Sequence, residues 1–450
     1  MSQQFSRRNF LAASGAGALL SGLAPAELVA TNASVDGAPA ILGGTPFTLG
    51  SSPGWPRPVG GEEGRLRDVI QRGVWMRTNR HTVAEFESMY AELTGAKRCI
   101  TTSSGTTALI NTLAALNVGP GDEVITSPYT FVATINSIHE HFALPTVADI
   151  DLETFQIDAA AADAACTENT TVLMPVHIGG HPANMDAFVE IGRRRNLPVV
   201  EDACQGHFGK WGDKFLGSVG TAGCFSFQES KNLPCGEGGA VITSDEALGD
   251  RIFAVHTHGI GANWQHGFIP ARTRNNRMPE ISAAILMAQS AVFERNADIR
   301  QENGTYLNQL LSEIPGVYPA KVYPGARSGW HLYMLRIAPE EFGINRDRFL
   351  PALRAENISG WWGYTYTAVD WAAYTKEVYA TIPATRRVFS ERYLDDWAER
   401  IGTLPNYKRL CNEAVWLSQN FLLGPRRNME IIADAVRRIQ RNASSIAALS

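Results

Sequence analysis

SSGTTALINTLAALNVGPGDEVITSPYTFVATINSIHEHFALPTVADI, residues 103–150, decides the fold. Apolar positions across 106–116 recur at helical spacing, directly after Ser103, Ser104 and Gly105. Gly119-Pro120-Gly121-Asp122 then punctuates the chain, and EVIT at 123–126 is a short apolar strand. Residues 131–142 return to an amphipathic helical pattern, and PTVADI at 145–150 is again a strand. Strands alternating with short helices are βαβ units, which assemble into a mainly parallel sheet.

The pattern continues outward. A helix is predicted at 85–93, strands at 172–178, 197–201, 224–227 and 240–243, and a helix at 185–195. Ligands bind such sheets at the carboxyl ends of the strands. Gly105, Thr130, Asp202 and Lys231 fall there. Beyond about residue 290 the character changes: helices at 291–313 and 429–448 flank mixed, aromatic-rich segments. The expected organisation is α/β, with a large domain at 64–290 and a smaller C-terminal α+β domain at 291–450.

Composition narrows the function. A chain of 450 residues with 44% hydrophobic and 19% charged residues is globular, with ample core. Lys+Arg 40 against Asp+Glu 45 gives a net charge of −5, which leaves no basic field for nucleic acid. Six cysteines without a C-x-x-C pair indicate neither a structural zinc site nor a disulfide framework. Residues 1–30 carry S-R-R-N-F-L around Arg7 and Arg8, a weakly apolar run, and small residues toward Ala30. This is the layout of a twin-arginine signal peptide, with a plain Sec signal or an uncleaved anchor as the alternative. It predicts export to the periplasm; an unused signal leaves the chain in the cytoplasm. The run is shorter than the ~20 residues of a spanning helix. No later stretch is apolar for long enough, so no stable membrane insertion is expected once the signal is removed. Residues 31–63, rich in Gly and Pro from 36 to 61, read as an extended arm or linker rather than a packed element.

Four places carry candidate chemistry. SFQESKNLPCGEGG, 226–239, sets Lys231 between an apolar strand and a glycine-rich loop. Burial lowers a lysine pKa, and a neutral amine can form a Schiff base; a surface lysine at a turn is the plain alternative. VVEDACQ, 199–205, ends an apolar strand on Asp202. A buried carboxylate there needs a cationic or hydrogen-bonding partner, such as a protonated pyridine nitrogen, unless it only caps the next helix. Ser103–Thr107 opens a helix whose free amides suit a phosphate, or is an ordinary N-cap. RNNRM, 274–278, is a polar loop before a helix at 281–291.

Taken together and in this order, these segments resemble the DegT/DnrJ/StrS-type pyridoxal-phosphate sugar aminotransferases of fold type I. The resemblance runs from about 64 to 442 and rests on SSGTTAL, GPGDEVITSPYTFVAT, VHIGGHPANMDA, VVEDACQGHFG, GCFSFQESKNLPCGEGGAVIT, THGIG and NNRMPEISAAILMAQ. WHLYMLRI and CNEAVWLSQNFLLGP look most like the branch of inosose aminotransferases and aminohydroxybenzoate synthase.

The resemblance implies roles. Lys231 matches the lysine that binds pyridoxal 5'-phosphate through an imine and then moves the proton. Asp202 matches the acid that keeps the ring nitrogen protonated. Gln205 matches the side chain near the ring oxygen, and Phe131 the aromatic on the ring face. Gly105, Thr106 and Ser226 match the phosphate cradle. Asn275 matches an asparagine reaching the phosphate of the neighbouring subunit, which implies a homodimer with shared active sites. The implied reaction is ping-pong transfer of an amino group from Glu or Gln to a keto-sugar or keto-cyclitol. Some members with His in place of the lysine dehydrate sugars; this chain keeps Lys231. A pyridoxal-phosphate sugar dehydratase, or an exported carbohydrate-binding or sensory protein without turnover, are the alternatives.

Other residues have plainer readings. His256, His258 and His266 lack a carboxylate at ligand spacing, so no metal is expected. Trp361, Trp362, Tyr364, Tyr366 and Trp371 either stack on a substrate ring or pack the smaller domain. Cys204 and Cys235 read as small buried side chains that an oxidising compartment could pair.

Overall fold

The computed structural model describes residues 34–77, 81–261, 269–365, 368–383 and 385–449. The predicted signal at 1–30, His266 and Tyr366 lie outside them.

The strand at 123–126 forms as expected, between the Gly-rich turn before it and Ser127-Pro128 after it. The central strands are β1 (Arg98–Thr102), β2 (Glu123–Thr126), β3 (Leu144–Val147), β4 (Thr170–Met174), β5 (Val200–Asp202), β6 (Ala222–Ser226) and β7 (Gly239–Thr243). β2 pairs in parallel with β3 and β4. Parallel bridges Leu173–Val199 and Val176–Asp202 carry the sheet from β4 to β5, which pairs in parallel with β6. β7 runs antiparallel to both β6 and β1. The order is therefore β3-β2-β4-β5-β6-β7-β1, parallel except for β7.

That reversed strand has a physical cause. A parallel neighbour needs a crossover of a dozen or more residues, usually a helix. The segment between β6 and β7 instead folds back on itself. Phe227 N donates to Gly238 O (2.8 Å) and Glu229 N to Gly236 O (2.9 Å), which places Lys231 in the loop at its tip.

Helices α1 (Thr82–Thr94), α2 (Gly105–Ala115), α3 (Val132–His139) and α4 (Met185–Arg195) belong to this half of the chain. α4 keeps its expected bounds because both ends are signalled: Asn184 caps the start, and Asn196 in the left-handed region ends it. Leu109 and Leu113 of α2 pack with Val124, Val172 and Val241 of the sheet, all essentially without solvent contact. Strands covered on both faces explain the unbroken apolar runs in the sequence.

α5 (Glu280–Ser290) and the 20-residue α6 (Phe293–Ser312) lead into an antiparallel sheet. Its strands are β8 (Val317–Pro319), β9 (Leu332–Ile337), β10 (Trp361–Trp362) and β11 (Ala414–Ser418), in the order β8-β9-β11-β10. Leu307 of α6 and Ile432 and Val436 of α7 (Arg427–Arg441) share one apolar core with Tyr333 and Leu335 of β9 and Val415 and Leu417 of β11. The single helix expected at 429–448 is interrupted at Asn442, whose φ of −106° and ψ of 15° separate α7 from Ala443–Ala447. Among the described residues no helix is long and apolar enough to cross a membrane.

The stretch before residue 62 departs from its sequence reading. Among its described residues, 34–61, there is no regular structure beyond one 3₁₀ turn at Ala40–Leu42, yet they are packed. Phe47 is buried in the core under α7. The buried pair Arg438–Glu356 grips the backbone around it: Glu356 accepts from Ala40 N (3.0 Å), and Arg438 donates to Thr45 O (3.0 Å). Glycine and proline content revealed that the segment lacks its own ladder. It did not reveal that side chains elsewhere supply the missing hydrogen bonds.

Candidate active site

Two adjacent acids at the end of β5 show how the site is built. Successive strand residues point to opposite faces. Glu201 turns to one side, where His177 Nε2 (2.9 Å) and the amides of Gly217, Val219 and Gly220 (2.7–2.8 Å) saturate it. Its role is structural. Asp202 turns to the other side. It accepts from Thr134 Oγ1 (2.7 Å) and Cys204 N (3.2 Å), and Thr134 is in turn bonded to Thr130 Oγ1 (2.7 Å). Asp202 is 4% exposed, and among the described residues no cationic side chain forms a salt bridge with it. A carboxylate removed from water in this way is suited to a positively charged ring N–H.

Lys231 approaches from the β6–β7 loop and is only partly exposed. Burial pulls its ammonium pKa below the ordinary 10.5, against the opposing pull of Cys204 and Asp202. The lysine and Asp202 therefore lie within electrostatic reach of each other. The Lys231 amine is 3.4 Å from His331 Nε2, and His331 is 6% exposed.

The start of α2 closes a third side. Ser104 caps the helix and takes the Thr107 amide (3.1 Å), while Thr107 Oγ1 accepts from Ser104 N (2.9 Å). First-turn amides have no acceptor in their own helix, so those of Gly105 and Thr106 remain available to an anion at the positive end of the dipole. A Cβ on Gly105 would lie 2.6 Å from Ser226 Cβ and 2.9 Å from Cys204 Sγ. That contact is direct evidence that the helix start, the end of β6 and the turn after Asp202 converge. Gly239 is similarly constrained, since its Cβ would fall 2.3 Å from Ser104 O.

The remaining predicted residues are placed as follows. Gln205 is buried, and its Oε1 accepts from Gly179 N (2.7 Å). Phe131 caps α3 with its ring 55% exposed, 6.4 Å from Tyr364 between centroids. Asn275 is exposed and accepts from Arg277 Nε (3.0 Å); in its own chain no contact ties it to Asp202 or Lys231 among the described residues. Its neighbour Asn276 does meet the helix-start loop, its carbonyl accepting from Ser103 N (2.8 Å).

The aromatic run divides. Trp361 and Trp362 are exposed, Tyr364 packs against Tyr129 and Trp416, and Trp371 is buried with Nε1 on Pro128 O (3.0 Å). His256 is buried and engaged with Phe253 O, and all six cysteines are free. The sequence reading missed Thr134, His331 and Trp55, whose Nε1 donates to Lys231 O (3.1 Å). Thr134 sits in the TFVAT motif that drew attention only to its Phe. His331 and Trp55 are 100 and 176 residues from Lys231, and no local pattern points to them.

Comparison with known proteins gives the relatives of the chain. The model of the DegT/DnrJ/EryC1/StrS aminotransferase family covers residues 60–416. A Streptoalloteichus tenebrarius protein, provisionally named an L-glutamine:3-amino-2,3-dideoxy-scyllo-inosose aminotransferase, is 32% identical over 90% of this chain and 99% of its own. The spore coat polysaccharide biosynthesis protein SpsC of Bacillus subtilis is 35% identical over 61% of this chain and 73% of its own. The crystal structure of 3-amino-5-hydroxybenzoic acid synthase superposes with a TM-score of 0.75 at 28% identity, covering 88% of this chain and all of that one. The chain thus belongs to the DegT/DnrJ/EryC1/StrS aminotransferase family and is an aminotransferase of the fold type I architecture.

Proposed function

We propose that the protein uses pyridoxal 5'-phosphate to move an amino group from Gln or Glu to the ketone of a keto-cyclitol or keto-sugar. The observation that carries this reading is the meeting of a buried Asp202, without a salt bridge among the described residues, a half-buried Lys231 and the open start of α2. Each fits one part of that cofactor: ring nitrogen, carbonyl and phosphate. Bound there, the cofactor supplies a carbonyl for amine capture and a ring that withdraws electrons.

The chain's own residues do the rest. The Gly105 and Thr106 amides with Ser226 would hold the phosphate. Asp202, oriented by Thr134, would hold the ring nitrogen in its protonated form. Gln205 and Phe131 would contribute to binding the ring. Lys231, its amine favoured by burial in the neutral form, would be the base that takes up and returns the substrate's proton; such positioned transfer contributes roughly 10²–10⁴-fold. Donor and acceptor visit the same site in turn, as a ping-pong order requires. The name of the Streptoalloteichus relative supports glutamine as donor and an amino-inosose-type acceptor.

Two further readings belong to the proposal. Asn275, exposed in its own chain, serves the site of a second copy, making a homodimer the active form. Residues 1–30 direct twin-arginine export, so the folded chain is expected in the periplasm. Cell fractionation with and without Arg7→Lys/Arg8→Lys tests the second.

The central test is direct. Purified protein should be yellow, and borohydride should fix the chromophore on the peptide containing Lys231. Glutamine with an inosose should give a product that gains an amine rather than losing water. Lys231→Ala should abolish turnover while the fold persists; a mutant that still transaminates contradicts the assignment.

A further inference from the structure

The reach of the Lys231 amine depends on what holds the Lys231 backbone. Its amide closes a turn onto Gln228 O (2.8 Å). Two distant groups then pin the loop. Asn232 Nδ2 donates to Gly329 O (2.6 Å), and Trp55 Nε1 donates to the carbonyl of Lys231 itself (3.1 Å). Trp55 lies ahead of residue 60, where the family match begins.

The indole is held on its face as well as at its edge. The guanidinium of Arg300, fully buried on α6, lies 5.1 Å from the Trp55 ring centroid, and Arg300 Nε is fixed on Gln419 Oε1 (2.7 Å). The arm on either side is anchored too. Gly50 exchanges hydrogen bonds with the Asn428 side chain (2.8 and 2.9 Å). Pro53 O accepts from Asn420 Nδ2 (3.0 Å), and Arg57 O accepts from Gln289 Nε2 (2.9 Å). A rigid indole with one donor, clamped by a buried cation, fixes the direction of that N–H. A lysine side chain is long and flexible, so fixing its backbone limits where its amine can go.

We infer that Trp55 is a positioning residue for Lys231: the arm outside the family-matched region closes over the lysine loop and sets the backbone from which the reactive amine extends. This rests on the reading of Lys231 as that amine. It also gives the packed arm a function beyond stability.

The test compares full-length wild type with Trp55→Phe, which keeps an aromatic ring near Arg300 and removes the N–H, and with Trp55→Ala. Trp211→Phe, which keeps a ring beside Tyr323 and removes the N–H bonded to Asp186, is the control. Amide hydrogen exchange is read across 228–236, and, after pyridoxal phosphate is stripped from wild type and variants alike, acylation of each of the seven lysines is read by peptide mass spectrometry as a function of pH. Losing one neutral hydrogen bond should speed loop exchange about fivefold in Trp55→Phe. The pH at which Lys231 becomes reactive should move toward the ordinary 10.5 as the amine leaves its burial near Asp202, Cys204 and His331, with the other six lysines unchanged. Wild-type exchange and wild-type Lys231 reactivity in both Trp55 variants overturn the inference. Borohydride fixation at a residue other than Lys231 sinks the functional reading instead, and the loop exchange still reports whether Trp55 holds the loop.

Discussion

Replacing Gly105 by alanine sets two physical effects of opposite sign against each other. As a helix-forming residue alanine is better than glycine, by at most about 1 kcal/mol. If Gly105 were only the first residue of a capped helix, Gly105→Ala would therefore be neutral or stabilising. The structure predicts the reverse. The new methyl would sit 2.6 Å from Ser226 Cβ and 2.9 Å from Cys204 Sγ, about 1 Å inside normal carbon contact. Ser226 cannot swing away, since its Cβ and Cα are fixed at the end of β6. Overpacking of this kind costs roughly 1–3 kcal/mol, so packing outweighs propensity. Relief requires the helix start to move off the strand ends, taking the Gly105 and Thr106 amides with it. Losing one amide bond to a charged phosphate weakens binding by about 10–100-fold. The assay is thermal unfolding with and without pyridoxal phosphate, together with cofactor titration by absorbance. Gly64→Ala is the internal reference. Gly64 lies in the helix Glu62–Arg72 with nothing within 4 Å of the added methyl, so it should stabilise by up to about 1 kcal/mol. A Gly105→Ala protein with wild-type stability and wild-type cofactor affinity would refute the cradle.

Other outcomes follow from the same structure. Glu356→Gln leaves the Arg438 cation buried without its counter-charge and loosens the arm; a loss of about 3–5 kcal/mol is expected in denaturant unfolding. His139, His181 and His207 are each pushed by burial to about 4. Between about 6.5 and 4 the unfolded chain binds protons that the folded chain refuses, so stability falls as pH drops through that window, by up to roughly 1.4 kcal/mol per group per pH unit. Unfolding curves at stepped pH check this, and the acid loss should shrink in His139→Gln, whose ring now rests on Thr375.

Much of the candidate site was legible because it is assembled at strand ends. Asp202 stands out where an apolar run stops, Lys231 where a strand gives way to glycines, and Gly105 where a helix opens after two serines. Each signal is local, a few residues long, and survives without knowledge of the fold. What Glu201 and Asp202 do was not separable in this way. Both are acids in one run, and only their opposite strand faces divide the structural one from the open one. The direction of β7 was likewise hidden, because an apolar pentapeptide pairs as readily either way and the intervening loop decides.

The sequence by itself determined the alternating architecture, the family, and the residue types that can serve an aminotransferase. Periodicity and short motifs are properties of neighbouring residues, and these features are built from neighbours. The tertiary structure alone decided that His331 stands beside the lysine, that Thr134 orients the acid, and that a Gly/Pro-rich arm closes on the Lys231 loop through Trp55. Those contacts join residues tens to hundreds of positions apart. They form because burial brings unsatisfied polar groups together, and the chain carries no local mark of which partner each will find.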